Sequence, residues 1–170
     1  DSVRVSVAHT CADYDTACAA FAHGARQLTH CYNAMPGLHH RKPGPIAAAF
    51  DHPDVTPEII ADGVHIHPSM VRLAFRIFGD DRVILISDSM EATGLEDGEY
   101  SLGGQPVTVR GNLAMLHDGT IAGSATDLMA CLRTAVKDMD IPLASAVKAA
   151  SANPARAIGV DADYGSIEPG

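Results

Sequence analysis

Four strand-then-helix units in succession, strand ends that repeatedly finish on a His or an Asp, and a late switch to period-two alternation predict an α/β fold built on a parallel sheet. Such units suit either half of a (β/α)8 barrel or a small doubly wound sheet. The 170 residues fall short of the roughly 200 that a complete barrel needs. The polar strand ends favour the half barrel, because a barrel gathers them at one mouth.

The first strand is expected over Val3–Ala8, ending in His9-Thr10. A helix follows from about Asp15 to Gln27, with Cys18, Phe21, Ala25 and Leu28 near one face. A short strand around Leu28–Cys31 runs into Asn33-Ala34-Met35-Pro36, and after a Gly/Pro/His-rich loop Ile46–Phe50 is helical. The third strand is placed near Ile59–Val64, ending in His65-Ile66-His67-Pro68. Its helix opens at Ser69 as N-cap and repeats Met70, Leu73, Ala74, Ile77 and Phe78 at helical spacing. Val83–Ser87 is an uninterrupted apolar run of the kind buried in a parallel sheet, and it stops at Asp88.

The rhythm then breaks. Glu99–Ala122 alternates in period two, with turns signalled at Gly103-Gly104, Gly111-Asn112 and Asp118-Gly119, as an antiparallel insertion would. A helix from about Thr126 to Met139 presents Leu128, Leu132, Val136 and Met139 to the core. Another begins at Pro142, and Asn153-Pro154 opens a short last helix closed by Gly159. One domain is expected over residues 1–164, with 165–170 starting a second, small β domain.

Bulk properties narrow the function. A formal charge of -9 argues against unspecific nucleic-acid binding, which needs basic surface. It leaves room for an anionic small molecule held by a local cation. Cys11, Cys18, Cys31 and Cys131 form no CxxC pair and are expected as reduced thiols in a cytoplasmic protein. No apolar run approaches the roughly 18–20 residues of a spanning helix, so no membrane partner is expected. The chain opens on Asp1 rather than Met and stops just after another strand begins, so both ends are expected to be cut.

His9, His30, His65 and Asp88 each fall at or just past a predicted strand end. Each has a structural reading: a lone His often bonds the backbone, and an Asp in Ser-Asp-Ser commonly caps a turn. Four in phase with successive strands suggest a shared site. Imidazole nitrogens can ligate a zinc- or iron-type cation, and a carboxylate can take a proton from water and return it to a leaving amine. That combination suits hydrolysis of an amide.

The flanking residues carry a likeness. Thr29-His30-Cys31-Tyr32-Asn33-Ala34-Met35-Pro36 with Arg41-Lys42-Pro43-Gly44, then Ala61-Asp62-Gly63-Val64-His65, Ser87-Asp88-Ser89-Met90-Glu91-Ala92-Thr93-Gly94 and Ile121-Ala122-Gly123-Ser124, occur in order along the chain. Together they resemble signatures of the N-acetylglucosamine-6-phosphate deacetylases, a family of metal-dependent amidohydrolases. The resemblance implies the C-terminal half of a (β/α)8 TIM-type barrel and removal of acetate from N-acetylglucosamine 6-phosphate. It implies a divalent metal ion, zinc or iron, held by His9 and His30. Asp88 then activates the hydrolytic water, and His65 contacts the substrate at the catalytic centre. Asn33, Ala34 and Arg41 hold the sugar phosphate, with Arg41 in some members donated to the neighbouring subunit of a dimer.

His67 departs from the family pattern and is expected to be structural or at the surface. The glutamate that completes the family's metal site has no counterpart here; its strand would precede Asp1. A half barrel leaves open sheet edges, so a homodimer or larger homo-oligomer is expected, with a chain of this length impaired as an enzyme. The alternatives are an amidohydrolase acting on another amide and a non-catalytic, oligomerising sugar-phosphate-binding fragment.

Overall fold

The computed structural model describes residues 3–167. Four strands lie side by side in chain order: β1 (Val5–Val7), β2 (Ala25–Leu28), β3 (Thr56–Ile60) and β4 (Ile84–Ile86), every adjacent pair parallel. Parallel neighbours need long crossovers. Here α1 (Tyr14–Ala22), α2 (Gly44–Asp51) and α3 (Pro68–Phe78) supply them. Among these strands the order never reverses, whereas a doubly wound sheet turns back at a switch point.

The first helix is shorter than its spacing predicts. Asp13 caps it by accepting the Thr16 N–H at 2.9 Å, and Gly24, at φ 106°, turns the chain out of it. Ala25 and Leu28 therefore bury themselves from β2, not from the helix, and the strand begins at Ala25. The Cys18, Phe21, Ala25, Leu28 spacing satisfied a helical period by coincidence.

The third strand likewise sits earlier than predicted, at Thr56–Ile60. The Asp62 carboxylate ends it by accepting the Val64 and His65 N–H groups, both at 2.9 Å, while Gly63 takes φ 81°. The helix after it is capped by His67, whose Nδ1 accepts the Ser69 N–H, so Ser69 lies inside the first turn behind Pro68. The fourth strand and its apolar burial match expectation, with Val83, Ile84 and Leu85 all buried.

One continuous core runs between the sheet and its helices, built from residues such as Phe21, Leu28, Ile46, Ile59, Val71, Leu85 and Met139. Two polar side chains stitch its base. Arg82 donates to the carbonyls of Ala49, His52 and Val55, and Asn153 donates to those of Asp80 and Val83.

A second sheet of three antiparallel strands, β5 (Gly98–Leu102), β6 (Gln105–Arg110) and β7 (Leu113–Leu116), turns at Gly103-Gly104 and Gly111-Asn112. It packs its own small core of Val107, Val109, Ala114, Met90, Ala92 and Ala122. Three helices close the chain: α4 (Leu128–Lys137), capped by Asp127, then α5 (Leu143–Ala150) and α6 (Ala152–Ile158), all against β4. Gly159 ends α6 in the left-handed conformation at φ 75°. Of the tail expected to start a second domain, 168–170 lie outside the described residues.

Candidate active site at the strand ends

Three expected site residues stand in equivalent places. His9 lies two positions past β1, His30 two past β2 and Asp88 two past β4. All three are non-glycine residues in the left-handed region, at φ 41°, 32° and 52°. Such backbone costs on the order of 1–3 kcal/mol per residue and persists where the surroundings enforce it. The ladder continues past the strands to enforce it: Thr29 N–H donates to the Val7 carbonyl at 2.9 Å, and Cys31 N–H to that of Glu58 at 2.7 Å.

The two imidazoles meet. Their ring centroids are 4.6 Å apart at an interplanar angle of 83°. His30 is only 6% exposed, and its Nδ1 is buried without a hydrogen-bond partner. An unpaired buried nitrogen is a cost that a ligand would remove. Near His30 lies a carboxylate that sequence reading did not single out, Glu58 on β3. Burial pushes it above the ordinary glutamate range, opposed by the His30 backbone N–H and ring and reinforced by the negative charge of Asp88. Glu58 thus lies within electrostatic reach of both His30 and Asp88. Its signal was the period-two alternation of β3, which sets Glu58 on the face opposite buried Pro57 and Ile59.

Asp88 is held by the segment around Gly123. Ser124 N–H donates to the Asp88 carbonyl and Met90 N–H to the Ser124 carbonyl, both at 2.8 Å. A Cβ on Gly123 would meet the Asp88 carbonyl oxygen at 3.1 Å. The Ile121-Ala122-Gly123-Ser124 motif therefore has a physical reason: glycine lets the two segments approach this closely without displacing the Asp88 carbonyl.

His65 is set by a different contact. Its Nδ1 lies 2.7 Å from Asp62 Oδ2, both side chains being nearly or fully buried. Burial alone would push Asp62 up, but the bonds from the His65 ring and from two backbone N–H groups outweigh it and hold the carboxyl below its ordinary value. Asn112, at the β6–β7 turn, donates to the Asp62 carbonyl at 3.1 Å and ties the second sheet to this loop.

The residues expected to hold the phosphate stand on two stretches of the β2–α2 connection. Arg41 is exposed, lies 2.5 Å from His40 Nε2, and with Lys42 lines a cavity of about 600 Å³ shared with Cys11, Asp13 and Tyr14. The Asn33 side-chain amide folds back onto the His30 carbonyl at 3.2 Å, and the Ala34 carbonyl accepts from Thr10 N–H. Positive φ at His30, Tyr32 and Ala34, alternating with ordinary backbone, is a pattern that turns N–H groups into an anion-binding concavity.

The donor set suits a divalent cation in kind, two imidazoles of which one has a buried nitrogen without a partner. It is incomplete in number: among the described residues no three His, Cys, Asp or Glu side chains converge as a metal-binding group. No described helix is long and apolar enough to cross a membrane.

Residues 2–170 match the amidohydrolase family. The chain is 40% identical over 168 residues to an N-acetylglucosamine-6-phosphate deacetylase of Vibrio furnissii, covering 99% of this chain and 42% of that protein. It is equally, 40%, identical over 169 residues to an N-acetylgalactosamine-6-phosphate deacetylase of Escherichia coli O157:H7, covering 99% and 45%. The crystal structure of N-acetylglucosamine-6-phosphate deacetylase from Pasteurella multocida is similar at a TM-score of 0.94 and 34% identity, over 99% of this chain and 44% of that one. The chain thus spans less than half the length of these relatives.

Proposed function

This chain belongs to the amidohydrolase family, and from that premise we propose that it forms the C-terminal half of a (β/α)8 barrel whose intact protein removes acetate from N-acetylglucosamine 6-phosphate. The unreversed strand order and the polar strand ends support the barrel. The three antiparallel strands are then an insertion between the fourth barrel strand and its helix, and 165–170 lead into a small β domain.

His9 and His30 would hold a divalent cation, zinc or iron, with a further acidic ligand from the part of the protein that precedes them. Bound there, it would supply Lewis-acid polarisation of the amide carbonyl and a water-derived nucleophile at neutral pH. Asp88 takes the proton from the attacking water and passes it to the amine as the C–N bond breaks, leaving acetate and the free amino sugar. His65 contacts the substrate beside the reacting amide. Asn33, Ala34 and Arg41 hold the phosphate, Arg41 through a fork of donors that matches phosphate oxygens. The intact protein acts as a homodimer or larger homo-oligomer in the cytoplasm, consistent with four thiols that form no disulfide.

The observation that carries this reading is the partnerless, buried Nδ1 of His30 set against the His9 ring. Acetate release from N-acetylglucosamine 6-phosphate by the full-length protein tests it: activity lost to a chelator and restored by zinc or iron is the expected result. A second reading, that the sugar is the galactosamine epimer, is favoured by the equal identity to a relative of that name. Running both epimers side by side separates the two. No turnover of either, with metal restored, contradicts both.

A further inference from the structure

We propose that Asp62 is a positioning residue: its carboxylate fixes His65 as the Nδ1–H tautomer and leaves Nε2 as a lone-pair acceptor for a hydroxyl or amide N–H of the substrate. That Nδ1 carries a proton follows from the contact alone, whereas the identity of the group met by Nε2 rests on the deacetylase reading.

The geometry leaves the carboxylate one role. Oδ1 accepts two backbone N–H groups, from Val64 and His65, both at 2.9 Å. Oδ2 is left for the ring, at 2.7 Å from Nδ1. An ionised carboxylate has no proton to give, so the ring nitrogen must donate. Among the described residues no hydrogen bond uses Nε2, which leaves it for substrate. The carboxylate cannot swing away, because the Asp62 side chain is fully buried and its carbonyl is tethered by Asn112. A carboxylate that orients an imidazole in this way is the logic of the serine-protease triad, in which the aspartate selects the tautomer.

Asp62→Asn inverts the arrangement at nearly constant shape. The amide oxygen keeps the two backbone donors, because the amide nitrogen cannot accept them. That turns the NH2 group toward His65 Nδ1, which must then accept, and the ring proton moves to Nε2. The substrate's donor would then face a second donor.

The test uses the full-length protein, labelled with 15N-histidine and loaded with diamagnetic zinc, with His65 assigned by its loss in His65→Gln. The expected spectrum shows His65 Nδ1 as the protonated nitrogen and Nε2 as the bare one, reversed in Asp62→Asn. In the same variant kcat/KM on the amino-sugar phosphate falls by about 10- to 100-fold, the range for losing the partner that orients a site imidazole. A wild-type spectrum with Nε2 protonated, alone or together with Nδ1, overturns the proposal, as does an Asp62→Asn protein with unchanged kcat/KM. The wild-type spectrum decides even where the variant does not fold. Should the spectrum be as expected while no N-acetylated amino-sugar phosphate is hydrolysed, the substrate reading fails and the tautomer stands.

Discussion

Replacing Arg41 by Met in the full-length protein separates phosphate recognition from amide chemistry. The guanidinium is exposed, and an exposed ion pair is worth about 0.2–1 kcal/mol. It also lines a cavity of about 600 Å³ with Lys42 and the segment from Cys11 to Asp15. A hydrogen bond to a charged group in such surroundings is worth about 1.5–3 kcal/mol. Exposure pulls toward the first range and the cavity wall toward the second, giving about 1.4 kcal/mol, or about tenfold in kcat/KM. The assay compares N-acetylglucosamine 6-phosphate with N-acetylglucosamine on wild type and Arg41→Met. The phosphorylated sugar should lose about tenfold and the unphosphorylated one almost nothing. An equal loss on both would refute the reasoning, because Arg41 would then be acting on the fold or the chemistry.

Three further outcomes follow from the geometry. Glu58 has its folded-state pKa raised, chiefly by burial, so whatever stability it contributes is present at acid pH and lost as pH rises through that value. Glu58→Gln in metal-free protein should therefore raise the melting temperature at pH 7 and leave it unchanged near pH 4, read by calorimetry. Gly123→Ala forces the Asp88 carbonyl to move by a few tenths of an ångström, which should lower kcat by on the order of tenfold with the fold retained by circular dichroism. Arg82→Met strips the carbonyls of Ala49, His52 and Val55 of a shared donor; with water replacing part of it, denaturant unfolding should show a loss of about 2 kcal/mol.

The strand-then-helix order of the parallel sheet was legible in the sequence, as were His9, His30 and Asp88 just past their strands, although only β4 carries an uninterrupted apolar run. Helix and strand limits were less so. Gly24 decides where α1 stops, yet the apolar spacing continues across it because β2 buries Ala25 and Leu28 in the same core. Asp62 shortened the third strand through its own side chain, a local bond that no hydrophobic period records. The same residue and Glu58 were passed over as site residues. Asp62 meets His65 only three residues along, a bond that depends on how the loop turns rather than on any hydrophobic period, whereas the Glu58 role depends on His30 and Asp88 from other strands, which sequence spacing does not report. Gly123 appeared only as part of a family likeness until its approach to Asp88 gave it a cause.

The joint use of His9 and His30 is tested most directly by metal retention. Full-length wild type, His9→Gln and His30→Gln would be loaded with zinc, dialysed against a weak chelator and measured for zinc per chain. Retention by wild type, and its loss in each single variant with melting behaviour otherwise preserved, is the predicted result. Wild-type zinc content in His30→Gln would contradict the account, since the unpaired Nδ1 beside the His9 ring would then have no ligand to meet.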